Sequence, residues 1–179
     1  MRTTGNTILI TGGGSGIGRG LAEAFTALGN EVVIAGRRAA ALDRVVATNS
    51  GMRAIPLDVE DPDAIRAFGE RVADEFPALN VLVNNAGIQR PENLTAPPDD
   101  LADAQAMVTT NLLGPIRLTA ALLPLLRRQP RSTVVNVTSG LAFIPRPGCR
   151  RTARRRRPST RTRSRCALSS GAPRPTSSS

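Results

Sequence analysis

The 179-residue sequence predicts an α/β protein built on a doubly wound parallel sheet. Three observations carry that expectation. Short apolar runs alternate with stretches of helical spacing between residues 6 and 139, the pattern of successive βαβ units. A glycine-rich turn, TGGGSGIG (11–18), stands between the first apolar run and the first helical stretch. The length suits one domain with a real core and is too short for two comfortable ones.

The elements follow in order. NTILIT (6–11) reads as a fully buried first strand. Helical spacing then puts Ile17, Leu21, Ala24, Phe25 and Leu28 on one face, with Gly29 as the C-terminal stop. EVVIAG (31–36) is the second strand and AAALDRVVAT (39–48) the second helix. MRAIPLDV (52–59) is the third strand, and its Pro56 belongs at a strand end or sheet edge. Asp61 as N-cap and Pro62 at the first helical position open a third helix that runs to about Phe76. LNVLVNNAG (79–87) is strand four, and a long helical pattern covers roughly 101–127, with a kink or early end expected at Pro124. STVVNVTS (132–139) reads as an ordinary buried fifth strand. Right-handed crossovers give the strand order 3-2-1-4-5, which places a ligand beyond the carboxyl ends of the strands.

The net charge of +10 resembles that of a nucleic-acid binder, but it is unevenly spread. Residues 1–145 hold 13 Arg against 14 acids, about −1, whereas residues 146–179 hold 11 Arg and no acid, +11. Basicity therefore describes only the tail. The chain divides into a dinucleotide-binding domain, 1–145, and an Arg/Ser/Pro-rich tail, 146–179, expected to be disordered. Lys, His, Tyr and Trp are all absent, which removes common groups for proton transfer near neutral pH. Both cysteines, Cys149 and Cys166, lie in the tail, so the body has no cysteine-based metal or disulfide pattern, and no metal site is expected. No signal-peptide core is read and no segment approaches the roughly 18–20 apolar residues of a membrane span, so a soluble cytoplasmic location is expected.

The motifs fall where such a sheet binds ligands. Thr11, Gly12, Gly14, Ser15, Gly16, Ile17 and Gly18 link a strand to a helix. Glycines there let the backbone approach a pyrophosphate, and the helix start offers free N–H groups and the positive end of its dipole. Arg37 and Arg38 end strand two, where the adenosine ribose lies in such folds. Arginines suit a 2′-phosphate, where an acid would accept from a 2′-hydroxyl, so NADP(H) is expected over NAD(H). The alternative is a solvated helix start. Asp58 follows strand three and reads either as a contact to the adenine amino group or as one of several acids before a helix.

TGGGSGIG, Asp58, NNAG (84–87), Asn111 in NLLGPIRL and VNVTSG closing on Ser139 together resemble the short-chain dehydrogenase/reductase family. The resemblance covers about residues 5–145, and its motifs occur in the family's order and spacing. It implies a Rossmann domain that binds NAD(P) through the glycine motif, with Val59 beside Asp58 and with Asn85, Ala86 and Gly87 alongside the cofactor. It implies hydride transfer between nicotinamide and a small-molecule carbonyl or secondary alcohol. Ser139 would hydrogen-bond the substrate oxygen and Asn111 would support a proton-relay water at a helix irregularity. Without the family, Ser139 reads equally well as a turn residue and Asn111 as an amide packed on backbone. The family is usually homo-oligomeric; for this chain no membrane partner is expected and a nucleic-acid partner is disfavoured.

The resemblance stops after strand five. The family places a Tyr about a dozen residues past the Ser and a Lys four residues further on, where this chain has GCRRTARRRRPS. An Arg does not replace them, because its pKa is too high for proton transfer. Cys149 is a conceivable donor but a lone thiol. The family's later strands, substrate-covering segment and part of its oligomer interface are not readable in 146–179, leaving the apolar side of strand five and the long helix uncovered and prone to aggregate. Three readings of the tail stand: a basic arm that binds nucleic acid, a passive disordered extension, and the family's own segment translated out of frame. Residues 151–156 can be encoded CGT ACT GCG CGA CGA AGG; from the third base the string reads TAC TGC GCG ACG AAG, or Tyr-Cys-Ala-Thr-Lys. The out-of-frame reading is favoured, and with it a chain that lacks reductase activity. The alternative function is a non-catalytic dinucleotide binder or a nucleic-acid-associated protein using its tail.

Overall fold

A computed structural model describes residues 3–90 and 101–139. The expectations for the arginine-rich tail, Cys149 and Cys166 concern residues outside that range.

Five strands form one parallel sheet: β1 (Thr7–Thr11), β2 (Glu31–Gly36), β3 (Arg53–Pro56), β4 (Leu79–Asn84) and β5 (Thr133–Asn136). Their order is β3-β2-β1-β4-β5, as the sequence predicts. Central β1 is buried along its whole length and pairs with β2 and β4, bringing Ile10 opposite both Ile34 and Val83. Because strand side chains alternate between faces, one apolar run feeds two cores. Ile8 and Ile10 pack with Val32, Ile34, Leu42 and Val45 on one face. Leu9 joins Val33, Leu82, Phe68, Leu118 and Leu122 on the other.

Helices α1 (Gly16–Ala27) and α2 (Ala39–Ala47) cover the first face. Helices α3 (Pro62–Glu75) and α5 (Gly114–Arg128) cover the second, where a Cβ added at Gly69 would lie 3.1 Å from the Ala121 Cβ, so the two helices approach closely. Asp61 caps α3 as expected, its carboxylate accepting from the N–H groups of Asp63 at 2.8 Å and Ala64 at 3.1 Å, with Pro62 in the first turn. Pro56 ends β3 on the sheet edge, also as expected.

Four expectations need correction. The buried face of α1 runs through Gly18 and Ala22, with Leu21 and Phe25 partly buried, while Ile17 and Leu28 are exposed and so is Ala24. The helix needs a glycine at 18 because its start lies close against the Gly12 carbonyl and the Asn85 amide. The long helical pattern does not end at Pro124, which sits inside α5. Its irregularity is a π-helical turn, Thr109–Leu113, between α4 (Ala102–Val108) and α5. Strand β5 is not buried: Val134 and Val135 are more than a third exposed, because β5 is an edge strand that pairs only with β4 among the described residues. The continuous helical stretch Ala102–Arg128 is long and apolar enough to cross a membrane by length and composition, because alanine and leucine raise its mean hydropathy without an uninterrupted apolar run. Within it, Leu118, Leu122, Leu125 and Leu126 are core residues facing the sheet and α3.

Candidate functional site

Strands β3 and β4 stop short of their apolar runs, and the residues that follow each strand curve into loops at the carboxyl end of the sheet. These loops are laced together at Thr11. Its hydroxyl accepts from the N–H groups of Asn85 and Ala86, both at 3.0 Å, and donates to the Val83 carbonyl at 3.4 Å. The Asn85 amide returns a bond to the Thr11 carbonyl at 2.9 Å. That amide also sets the glycine pattern. A Cβ at Gly18 would lie 2.4 Å from Asn85 Nδ2 and 2.4 Å from the Gly12 carbonyl oxygen. Gly12 itself has φ +71, in the left-handed region, and its N–H donates to the Ala35 carbonyl at 2.7 Å.

The turn delivers α1 with its first N–H groups open. Ser15 holds the N-cap position in an extended conformation, its side chain makes no cap bond, and the first turn carries no acid. The start of α2, after Arg38, is likewise without a side-chain cap or an acidic first turn. Both starts face one cavity of about 430 Å³. An anion lying there meets free backbone donors and two helix-dipole ends of favourable sign. Arg38 Nη2 donates to Ser15 Oγ at 3.3 Å, bridging the two helix starts, and Arg37 Nη1 pairs with Glu60 Oε1 at 3.3 Å.

The cavity wall takes in Thr11, Gly12, Gly14, Ser15 and Ile17 from the first loop, Arg37 and Arg38 from the second, and Val59, Asn85, Ala86 and Gly87 from the third and fourth. Gly16, Gly18 and Asp58 do not line it. Gly16 (φ +55) shapes the turn, Gly18 admits the close contact with Asn85, and the Asp58 carboxylate accepts from the Glu60 N–H at 2.9 Å. Sequence reasoning missed Gly36, Leu57, Ile88 and Thr110, which also line the cavity. It missed Gly13, where a Cβ would fall 2.5 Å from the Ile34 side chain. Gly13 and Gly36 lie inside the quoted glycine turn and second strand, whereas Leu57, Ile88 and Thr110 carry no local mark and are set by what packs opposite. The exposure of Ile17 has a functional sense, since an apolar side chain at a cavity mouth can cover a flat ligand. Glycine turn, open helix starts, paired arginines and apolar walls fit a dinucleotide.

Asn111 lies in the π-helical turn. Its Oδ1 accepts from the Ile88 N–H and its Nδ2 donates to the Ile88 carbonyl, each at 2.8 Å, so both ends of the amide are spent on one residue's backbone. The irregularity expected at Asn111 is therefore present, and the side chain serves to hold the loop after β4. Asn84 Nδ2 donates to Thr119 Oγ1 at 3.1 Å and to Asn136 Oδ1 at 2.9 Å, joining β4, α5 and β5. Asn84, Ala86, Asn111 and Thr138 border a second cavity of about 610 Å³, which meets the first at Ala86. Ser139 is half-buried three residues beyond β5 and lines neither cavity. Among the described residues no group of acidic residues could hold a metal ion.

A family model for the short chain dehydrogenases matches residues 6–150. The chain is 41% identical over 145 residues to an uncharacterized oxidoreductase, DltE, of Bacillus subtilis, a match covering 81% of this chain and 58% of that protein. It is 39% identical over 140 residues to a serine 3-dehydrogenase of Agrobacterium fabrum, covering 78% and 55%. Against solved structures, it superposes on a short-chain dehydrogenase from Streptomyces avermitilis with a TM-score of 0.76 and 33% identity, over 85% of this chain and 56% of that one. The chain thus spans about half the length of the curated relatives it matches. A parallel sheet in the order 3-2-1-4-5, a glycine turn opening onto two uncapped helix starts, and a family match across most of the sequence agree, and the chain belongs to the short chain dehydrogenase family of oxidoreductases.

Proposed function

We propose that the chain binds NADP(H), in preference to NAD(H), in the cavity at the carboxyl end of β1, β2 and β4. The observation that carries this reading is the uncapped α1 start at Ser15 with Arg38 reaching its hydroxyl. The pyrophosphate would rest on Gly12, Gly14, Ser15 and the first N–H groups of α1, and the 2′-phosphate beside Arg38 and Ser15. Asn85, Ala86 and Gly87 would back the remainder of the cofactor. When bound, the nicotinamide supplies or accepts hydride. By family, the partner is a small carbonyl or secondary alcohol whose oxygen Ser139 would hold, with Asn111 fixing the loop beside it. The parent activity would be that of a cytoplasmic, usually homo-oligomeric oxidoreductase.

This 179-residue sequence contains no Tyr and no Lys, so no side chain fills the family's proton-transfer pair. We therefore propose binding without turnover. The arginine-rich segment from residue 146 is read as the family's catalytic segment translated out of frame, which the coding sequence around codons 140–160 tests directly. Saturating NADPH should raise the melting temperature of the full chain by roughly 5–10 °C, the shift expected at about a hundredfold excess over Kd. Absence of that shift rejects the cofactor reading. Turnover with a carbonyl panel, lost in Ser139→Ala, rejects the inactivity. Tight, strongly salt-dependent DNA binding that is lost when the tail is removed would instead favour a nucleic-acid role for its arginines.

A further inference from the structure

We infer that Glu60, acting through Arg37, sets the balance between 2′-phosphorylated and 2′-hydroxyl dinucleotides; the inference rests on the dinucleotide reading above. Glu60 lies in the turn between β3 and α3, where its N–H is held by the Asp58 carboxylate at 2.9 Å. Its own carboxylate oxygen Oε1 receives two donors, the hydroxyl of buried Thr110 and the Arg37 guanidinium at 3.3 Å. Exposed ion pairs usually contribute little, because two long side chains must be ordered for one contact. Here the carboxylate is already fixed by a buried hydroxyl, so only Arg37 remains to be ordered.

The two adjacent arginines are consequently unlike. Arg38 donates to the Ser15 hydroxyl, a neutral acceptor, and has no carboxylate partner among the described residues. Arg37 is offset by Glu60. Counting these three side chains, the ribose end of the cavity carries one net positive charge where the bare pair of arginines would carry two. A 2′-phosphate responds to that difference, and a 2′-hydroxyl does not. Glu60 is thus a brake on 2′-phosphate affinity, a specificity residue that need not touch the ligand.

The test uses the full chain and isothermal titration with NADPH and NADH. Glu60→Gln keeps an acceptor oxygen for Thr110 and Arg37 while removing the charge. It should tighten NADPH about three- to fivefold, leave NADH within about twofold, and lose the difference at about 0.5 M salt. In an Arg37→Ala background the same substitution should give a smaller gain for NADPH, because it then removes only the direct repulsion of the Glu60 carboxylate and uncovers no arginine charge. An unchanged or lowered preference for NADPH overturns the inference, as does equal weakening of both ligands, which would mark Glu60 as a strut alone. Arg37→Ala by itself gives an independent reading: it should weaken NADPH less than Arg38→Ala does, and equal losses overturn the brake. If the unmodified chain binds neither dinucleotide, the cofactor reading falls and takes this inference with it. Binding with an unaltered ratio in Glu60→Gln removes only the inference.

Discussion

The two ends of the sheet handle hydrogen bonds in opposite ways. At the amino end, Asn30 Oδ1 accepts from the Asn6 N–H at 3.0 Å and from the Asn6 side chain at 2.9 Å, while its Nδ2 donates to the carbonyls of Thr3 and Phe25. Asn80 Oδ1 accepts from the Thr7 N–H, and Thr7 Oγ1 donates to Glu31. Asparagines at the starts of three neighbouring strand segments thus close on one another and on nearby backbone. At the carboxyl end, α1 and α2 begin without side-chain caps and the backbone approaches open space. Donors saturated internally stabilise the fold, whereas donors left open are available to a ligand. Stability and binding should therefore separate by position.

Gly18→Ala should have the largest effect, because it breaks both properties at once. Its Cβ would collide with the Gly12 backbone and the Asn85 amide, which cannot both retreat. A loss of about 3 kcal/mol in stability is expected by urea denaturation, together with loss of NADPH binding. Asn30→Ala should act at the amino end alone. It strips the Asn6 N–H of its partner in a nearly buried setting, costing about 2 kcal/mol while leaving the NADPH Kd within about twofold. Arg38→Ala should do the reverse: stability within about 0.5 kcal/mol and NADPH affinity lowered roughly tenfold, with NADH little changed. If Asn30→Ala weakened NADPH as much as Arg38→Ala does, the division between the two ends would fail.

Much of this arrangement is legible in the sequence because it is local. The apolar runs of β1, β2 and β4, the Asp61-Pro62 helix start, Pro56 at an edge and the glycine turn each carry their reason within a few residues. What the sequence conceals is contact between distant segments. Asn6 and Asn80 read as strand residues, and nothing local joins them to Asn30 until the sheet aligns the three. The π-helical turn has no compositional mark, and only the family resemblance, through Asn111, places an irregularity there. Pro124 is tolerated inside α5, and the chain's irregularity falls where Asn111 reaches Ile88 and where Thr110 meets Glu60. Gly13 lies in the glycine turn and Gly114 within the long helical pattern, yet a Cβ at Gly13 would strike Ile34 and one at Gly114 would lie 2.9 Å from the Val59 carbonyl oxygen.

The Asn111 clasp has one more consequence. It grips the peptide groups of residue 88 and makes no use of the isoleucine side chain. Position 88 is thereby anchored in space while its side chain, at the cavity wall, is left to vary. A protein built this way can change what it presents to a ligand at residue 88 without re-solving the path of the loop, provided residue 111 keeps an amide. Tolerance at one site is underwritten by intolerance at the other, and the pair forms a fixed mount with an exchangeable fitting.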